Sequence, residues 1–300
     1  MKRTIEYILP KEYHNKTIAE FLKDKGYTKQ GITELKFGDS YIEVNGEHRN
    51  MPDRIVAGDV LTVNIIENKS SPKIPPVELP FDVVYEDEDV VVVNKPTDMP
   101  SHPSLNNYYN TLGNAAAYYY QSRNDSLVYR CINRLDRDTT GLTIIAKHMI
   151  SAGILYNQHK SGLIHKEYTA IVSGEDIEDS GTIDMPIGRA SDSAITRMID
   201  YQNGDSAVTH FTVLKRGLGL SVVKLRLETG RTHQIRVHMK AIGHPLIGDF
   251  LYNPDDKHMD RQALHVNYIS FEQPVTGIRI NLEAAVPADM KTIIDQIGTI

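Results

Sequence analysis

Asn133-Arg134-Leu135-Asp136-Arg137-Asp138-Thr139-Thr140-Gly141 sets one carboxylate, Asp136, between two arginines and closes on small, turn-forming residues. The run that follows, Leu142 to Ala146, is apolar enough to be a buried strand. The pattern therefore puts an acid at the mouth of a strand. Taken alone, a loop aspartate beside arginines is most simply a surface ion pair of little energetic weight. Whether Asp136 does more depends on what the rest of the chain brings to it.

The chain around this stretch has 300 residues, 40% hydrophobic and 24% charged, with a formal net charge of −6. That suits one large domain or two, with no disordered tract. The start, Met1-Lys2-Arg3-Thr4-Ile5-Glu6-Tyr7, has no apolar stretch fit for export, and no later run approaches a membrane span. No membrane partner and a cytoplasmic location are expected. A single cysteine, Cys131, excludes an internal disulfide framework. The negative total argues mildly against nucleic acid as a partner, because basic domains are the usual electrostatic footprint. An RNA-binding face would have to be a local basic patch on an acidic body.

Toward the amino terminus, Thr17-Ile18-Ala19-Glu20 has capping-box spacing and opens a helix with Ile18, Phe21 and Leu22 on one face, stopped by Gly26. A second short helix is predicted from Thr28 to Phe37, then a strand at 41–44, an Asn45-Gly46 turn and a strand at 58–65. The result is a small two-helix and hairpin unit whose Lys25, Lys29, Lys36, Arg49 and Arg54 could meet phosphates. From Asn68 to Pro80, four prolines among serines and lysines read as a semi-extended linker, giving boundaries of 1–67, 68–80 and 81–300. Beyond it, 83–86 and 90–93 bracket an acidic turn as a hairpin that runs into Asn94-Lys95-Pro96 and Ser101-His102-Pro103. Residues 108–120 and 151–160 have helical character, and 166–172 starts a strand carrying Tyr168.

Downstream, Leu225-Arg226-Leu227-Glu228-Thr229 alternates like a strand, Gly230 allows a turn, and Thr232 can cap a helix from His233 to Ile242 that ends at Gly243. Arg216, Lys224, Arg226, Arg231, Arg236 and Lys240 outnumber the single acid Glu228 in this window and supply the basic patch that the total charge makes necessary. His233, His238, His244, Asp249 and His265 raise a competing reading, a metal site. A spacing of five puts His233 and His238 on different helix faces and no cysteine pair is present, so no metal is expected.

Three of these segments, which follow one another along the chain in a family's order, carry a resemblance. Asn133–Gly141 resembles the signature of the pseudouridine synthases that modify large-subunit ribosomal RNA and some transfer RNAs, in which His usually stands where this chain has Asn133. The Asn94–Pro103 segment resembles that family's first motif, with Asp98 where Gly is usual. Gly230-Arg231-Thr232-His233-Gln234-Ile235-Arg236-Val237-His238, continued by Gly243-His244-Pro245, Gly248-Asp249 and Tyr252, resembles a further motif. Residues 16–66 resemble the RNA-binding domain first named for small-subunit ribosomal protein four, through Val44-Asn45-Gly46 and Gly58-Asp59.

The resemblance implies an α+β chain in which the small module precedes a domain with a central mixed, largely antiparallel sheet. It implies isomerisation of uridine to pseudouridine in structured RNA, with Asp136 as nucleophile or base, Tyr168 stacked on the uracil and Arg236 paired with Asp136. Arginine suits that place physically, since a desolvated carboxylate needs a nearby cation and the planar fork can meet both its oxygens. RNA contacts are expected from Arg134, Arg137, Arg231, His233 and Lys95 around the site, and from Lys29 and Lys36 in the first module. The reaction adds and oxidises nothing, so no cofactor is expected; the partner is ribosomal or transfer RNA, bound by a monomer. The alternative from another class is a non-catalytic RNA-binding or ribosome-assembly factor that retains the synthase fold.

Overall fold

The computed structural model describes residues 1–105, 107–190, 193 and 195–297. Its first part comprises β1 (Lys2–Ile8), α1 (Ile18–Asp24), α2 (Lys29–Phe37), β2 (Tyr41–Val44), β3 (Glu47–His48) and β4 (Val60–Ile66). The strands form an antiparallel sheet in the order β1-β4-β2-β3. The capping box at α1 is formed: the Thr17 hydroxyl accepts from Glu20 N, and Thr17 N donates to Glu20 Oε2 at 2.8 Å. That box starts a helix whose Ile18, Phe21 and Leu22 are buried. The strand β1 gave no sequence signal, because only Ile5 in it is fully buried and charged residues interrupt the alternation.

The larger part contains β5 (Asp82–Glu86), β6 (Val90–Lys95), α3 (Leu112–Gln121), β7 (Arg130–Cys131), β8 (Thr140–Ala146), α4 (Met149–Lys160), β9 (His165–Ser173), β10 (Ser180–Asp184), β11 (Ile187–Arg189) and β12 (Arg197–Ile199). It continues with β13 (Val208–Gly217), β14 (Leu220–Leu227), α5 (Gln234–Ala241), β15 (Leu264–Glu272), β16 (Arg279–Glu283) and α6 (Ala288–Gln296). A mixed sheet runs β10-β13-β14-β9-β15-β8-β6-β5, with β16 added to β15 and β7 to β8. Among the described residues, its pairings are antiparallel except that of β15 with β8. Every residue of β8 is buried, since β6 and β15 flank it and side chains cover both faces. A strand enclosed in this way reads as an unbroken apolar run.

The parallel junction needs a glycine. Gly141 lies between Lys95 on β6 and Val266 on β15, with φ of +114°, and a Cβ there would stand 2.4 Å from the Val266 carbonyl oxygen. Gly141→Ala is therefore expected to destabilise the protein by about 3 kcal/mol or more, combining backbone strain with a clash that cannot relax. A thermal melt checks this; a variant within a degree or so of wild type would show that the junction can shift.

The two sheets are joined by shared packing. Ile150 and Ile154 of α4 are buried in the same cluster as Ile18, Phe21 and Leu35 of the first part. The Glu67 carboxylate accepts from Arg130 at 2.9 and 3.0 Å and from the Met149 amide at 2.9 Å, at the first turn of α4. Arg3 donates to Asp89 at 2.9 Å, and Asp89 also meets His148 and Gln273. The proline-rich segment 68–80 turns at 71–74, where Ile74 N donates to the Ser71 carbonyl, and it is docked: Asn114 Nδ2 donates to the Pro75 carbonyl at 2.8 Å, and Ile74 and Leu79 pack against the cluster around α3. Among the described residues, no helix is long and apolar enough to cross a membrane.

Candidate active site

Asp136 sits in the loop between β7 and β8, and that loop is clamped from two sides. Asn133, 2% exposed, donates through Nδ2 to the Leu142 carbonyl and accepts through Oδ1 from the Ile144 amide, tying the loop's start to β8. An amide supplies a donor and an acceptor at once, so the position needs no titrating group. On the other side residues 99–101 run alongside: Met99 N donates to the Arg137 carbonyl, Ser101 Oγ donates to the Leu135 carbonyl, and Leu135 N donates to Ser101 Oγ. The backbone on both sides of Asp136 is thereby fixed while its carboxylate stays 28% exposed.

Across the cleft, α5 presents Arg236. Its Nη1 donates to Asp136 Oδ2 at 3.2 Å, but its fork is held elsewhere: Nε and Nη2 donate to Asp249 at 2.6 and 2.7 Å. The paired geometry expected toward Asp136 is thus corrected. Asp249, fully buried, takes the two-pronged contact, and Asp136 receives the remaining corner of the guanidinium. Asp249 is itself pinned by the Leu251 and Tyr252 amides. Burial works against the Arg236 charge, yet the bonds and charge of Asp249, and then of Asp136, hold its pKa above the ordinary value. The wall opposite is Tyr168 on β9, 6% exposed and flanked by Leu225 of β14 and Val266 of β15. With Arg134, Thr139, Leu227, Arg231 and His233, these side chains line a cleft of about 60 Å³.

Residues 89–241 match the family model described as RNA pseudouridylate synthase. The chain belongs to that family. It is 39% identical over 278 residues to an uncharacterized RNA pseudouridine synthase, YjbO, of Bacillus subtilis, covering 93% of this chain and 98% of the relative. Ribosomal large subunit pseudouridine synthase D of Escherichia coli is 34% identical over 296 residues, 94% of this chain and 89% of that protein. Among solved structures, human RNA pseudouridylate synthase domain containing 1 superposes with a TM-score of 0.59 at 27% identity, over 74% of this chain and 96% of that one.

Several residues of this RNA pseudouridine synthase lie elsewhere than the sequence suggested. Lys95, expected on the RNA, is fully buried, and its ammonium donates to the carbonyls of Pro96, Met99 and Arg137 at 2.8 to 2.9 Å. Burial pushes its pKa down to about 7, against the pull of Asp138 and Asp136, while three carbonyl acceptors take all three ammonium hydrogens. Lys95 is a brace under the Asp136 loop, not a surface cation. Lys95→Met should cost about 1–3 kcal/mol, because it strands those carbonyls, and should leave the salt dependence of RNA binding unchanged. A shallower salt slope would restore it to the interface.

His233 faces inward too. Its Nδ1 and the Tyr252 hydroxyl are 2.9 Å apart, its Nε2 stands 3.8 Å from Asp136, and burial lowers its pKa, with Asp136 opposing. It adopts a left-handed backbone (φ 58°) as the N-cap of α5, so Thr232 is not the cap. The Gln234 side chain ties that turn instead, accepting from Arg231 N and Thr229 Oγ1. Arg134 and Arg231 keep exposed side chains at the cleft, and Arg137 turns to Asp98 and Asp138. Asp98 has φ of 52°, a conformation glycine adopts at less cost. Lys29 and Lys36 are exposed on α2 at a spacing of seven, hence on one face, outside the cleft.

The basic window 216–240 does not form one open face. Arg216 pairs with Asp179, Lys224 with Glu167 on the neighbouring strand, Arg231 with Asp205, and Arg236 is buried. Sequence reasoning could not see these acids, because strand pairing brings them in from elsewhere in the chain. It also missed the part played by Asp249, whose only signal was its place after Gly248 in the motif.

Proposed function

We propose that this enzyme isomerises uridine to pseudouridine in large-subunit ribosomal RNA, with Asp136 as the initiating group. The observation that carries the reading is the Arg236–Asp136 contact at 3.2 Å, made in a cleft walled by Tyr168 from three segments remote in sequence. The reaction breaks the N1–C1′ bond of uridine, turns the base and forms the C5–C1′ bond; the proton leaving C5 balances the one gained at N1. Asp136 acts on the nucleotide as nucleophile or base, Arg236 orients its carboxylate, and Tyr168 stacks on the uracil.

A duplex hides the reacting atoms, so the base must be extruded. A 60 Å³ cleft is far below the ~300–1,000 Å³ of common ligand pockets, so the base enters as the exposed Arg134 and Arg231 move aside. In this scheme those two arginines and Arg137 grip phosphates beside the target. Residues 1–67 form an RNA-binding module that uses Lys29 and Lys36, 68–80 connect it, 81–300 carry catalysis, and a monomer acts in the cytoplasm. The relative that modifies the ribosomal large subunit supports this choice of RNA.

The deciding experiment maps pseudouridines in total RNA from cells with and without the protein. Loss of a site in large-subunit ribosomal RNA is expected. A site lost only from transfer RNA would reassign the substrate, and no lost site would overturn the reading.

A further inference from the structure

From Met99 to Ser122 the chain has no Asp, Glu, Lys or Arg, although 24% of all residues are charged. This neutral stretch leaves from the strip that flanks Asp136 and returns to it. Ser101 is bonded to Leu135 in both directions, and the Leu112 amide donates to the Pro100 carbonyl at 2.9 Å, closing the loop at its base. Tyr129 donates from its hydroxyl to the Ser101 carbonyl at 2.7 Å, and its ring packs edge-on against His102. The root is therefore rigid and lies one residue from the catalytic carboxylate on one side and, through Met99 and Arg137, one residue on the other.

The tip is different. Leu105 is 103% exposed, Tyr109 62% and Tyr108 43%, and the two tyrosine rings meet edge to face at 4.9 Å. Apolar side chains scattered singly over a surface are ordinary. Three within five positions, on a loop fastened beside the reactive group, call for a partner. Without Lys or Arg the loop offers phosphates no fixed positive charge, and without acids it does not repel them. Exposed aromatic faces suit the flat faces of nucleobases.

We propose that Tyr108, Tyr109 and Leu105 stack on unpaired bases flanking the target uridine, so that this loop selects single-stranded RNA next to the cleft. The loop is continuous with the site through its root, where Ser101 is bonded to Leu135 and Met99 to Arg137 on the two sides of Asp136. The inference rests on the assignment of Asp136 as the isomerising group.

The test compares the full chain with Tyr108→Ala/Tyr109→Ala and Tyr108→Phe/Tyr109→Phe variants, using a single-stranded RNA of about 12 nucleotides and a duplex of the same sequence as probes. The alanine variant should bind the single strand about 5- to 150-fold more weakly, as loss of one stacked base implies. Duplex affinity should be unchanged, and the phenylalanine variant should bind like wild type. Pseudouridine formation in total RNA should show a raised KM with kcat intact. Unchanged single-strand binding by the alanine variant, or an equal loss on duplex, overturns the proposal. So does a wild-type dimer that the alanine variant dissolves while RNA affinity stays the same, which would give the tip to a second copy of the chain. If wild type forms no pseudouridine, the assignment of Asp136 falls, and this inference with it. If wild type is active and the alanine variant matches it at subsaturating RNA, the loop inference alone falls.

Discussion

Asp136→Asn is expected to abolish pseudouridine formation, with a fall on the order of 10⁴-fold in single-turnover rate, while RNA affinity stays within a few fold. The substitution keeps shape and removes the charge and basicity on which the proposed role of Asp136 rests. Ordinarily, deleting one member of a buried ion pair strands the other at a cost of about 3–5 kcal/mol. Here it does not, because Arg236 keeps its two bonds to Asp249. The variant should therefore melt close to wild type, which separates a chemical defect from a folding one. Substantial isomerisation by a well-folded Asp136→Asn protein would remove Asp136 from the mechanism.

The second large effect belongs to Arg236. Lysine at this position keeps the charge but has no fork, so it cannot span Asp249 and still reach Asp136. The expected loss is about 2–4 kcal/mol of transition-state stabilisation, roughly 30- to 1,000-fold in rate. Arg236→Ala should also lower stability by about 3–5 kcal/mol, since it leaves the fully buried Asp249 without a counter-charge. Asp249→Asn probes the same geometry from behind: the guanidinium loses its anchor, and the rate should fall without a matching loss of RNA affinity. Arg231→Lys is the contrast, expected to keep near-normal turnover with a small, salt-sensitive loss of binding. If Arg231→Lys proves more damaging to the chemical step than Arg236→Lys, the carboxylate's partner has been misassigned.

The elements around the site were legible where local chemistry settles the matter. Thr17 and Glu20 announced α1 by reciprocal capping, and the apolar run after Asp136 announced an enclosed strand. The pairing of Asp136 with Arg236, 100 positions apart, was legible only through resemblance, since no periodicity connects them. What stayed hidden depended on contacts made after folding. Lys95 reads as a loop cation, and only the converging carbonyls of Pro96, Met99 and Arg137 make it internal. His233 reads as a helix residue, whereas its left-handed backbone turns the imidazole toward Asp136 and Tyr252. Asn133 looked like a deviation in the signature, yet the two β8 backbone groups it meets require only one donor and one acceptor.

Nor does the periodicity of α4 reveal that Ile150 and Ile154 complete the hydrophobic cluster of the first sheet. Because one helix belongs to both bodies, the small sheet is no tethered accessory free to search for its own contact. Under the proposed function, an RNA touched by the exposed face of α2 would be held at a set span from Asp136, and the effective concentration of one site at the other would be fixed by a rigid frame rather than by a linker. If the first module binds RNA as proposed, such a frame would act as a gauge, selecting a uridine by its distance from a second landmark in the folded RNA and penalising RNAs that place the two at any other separation.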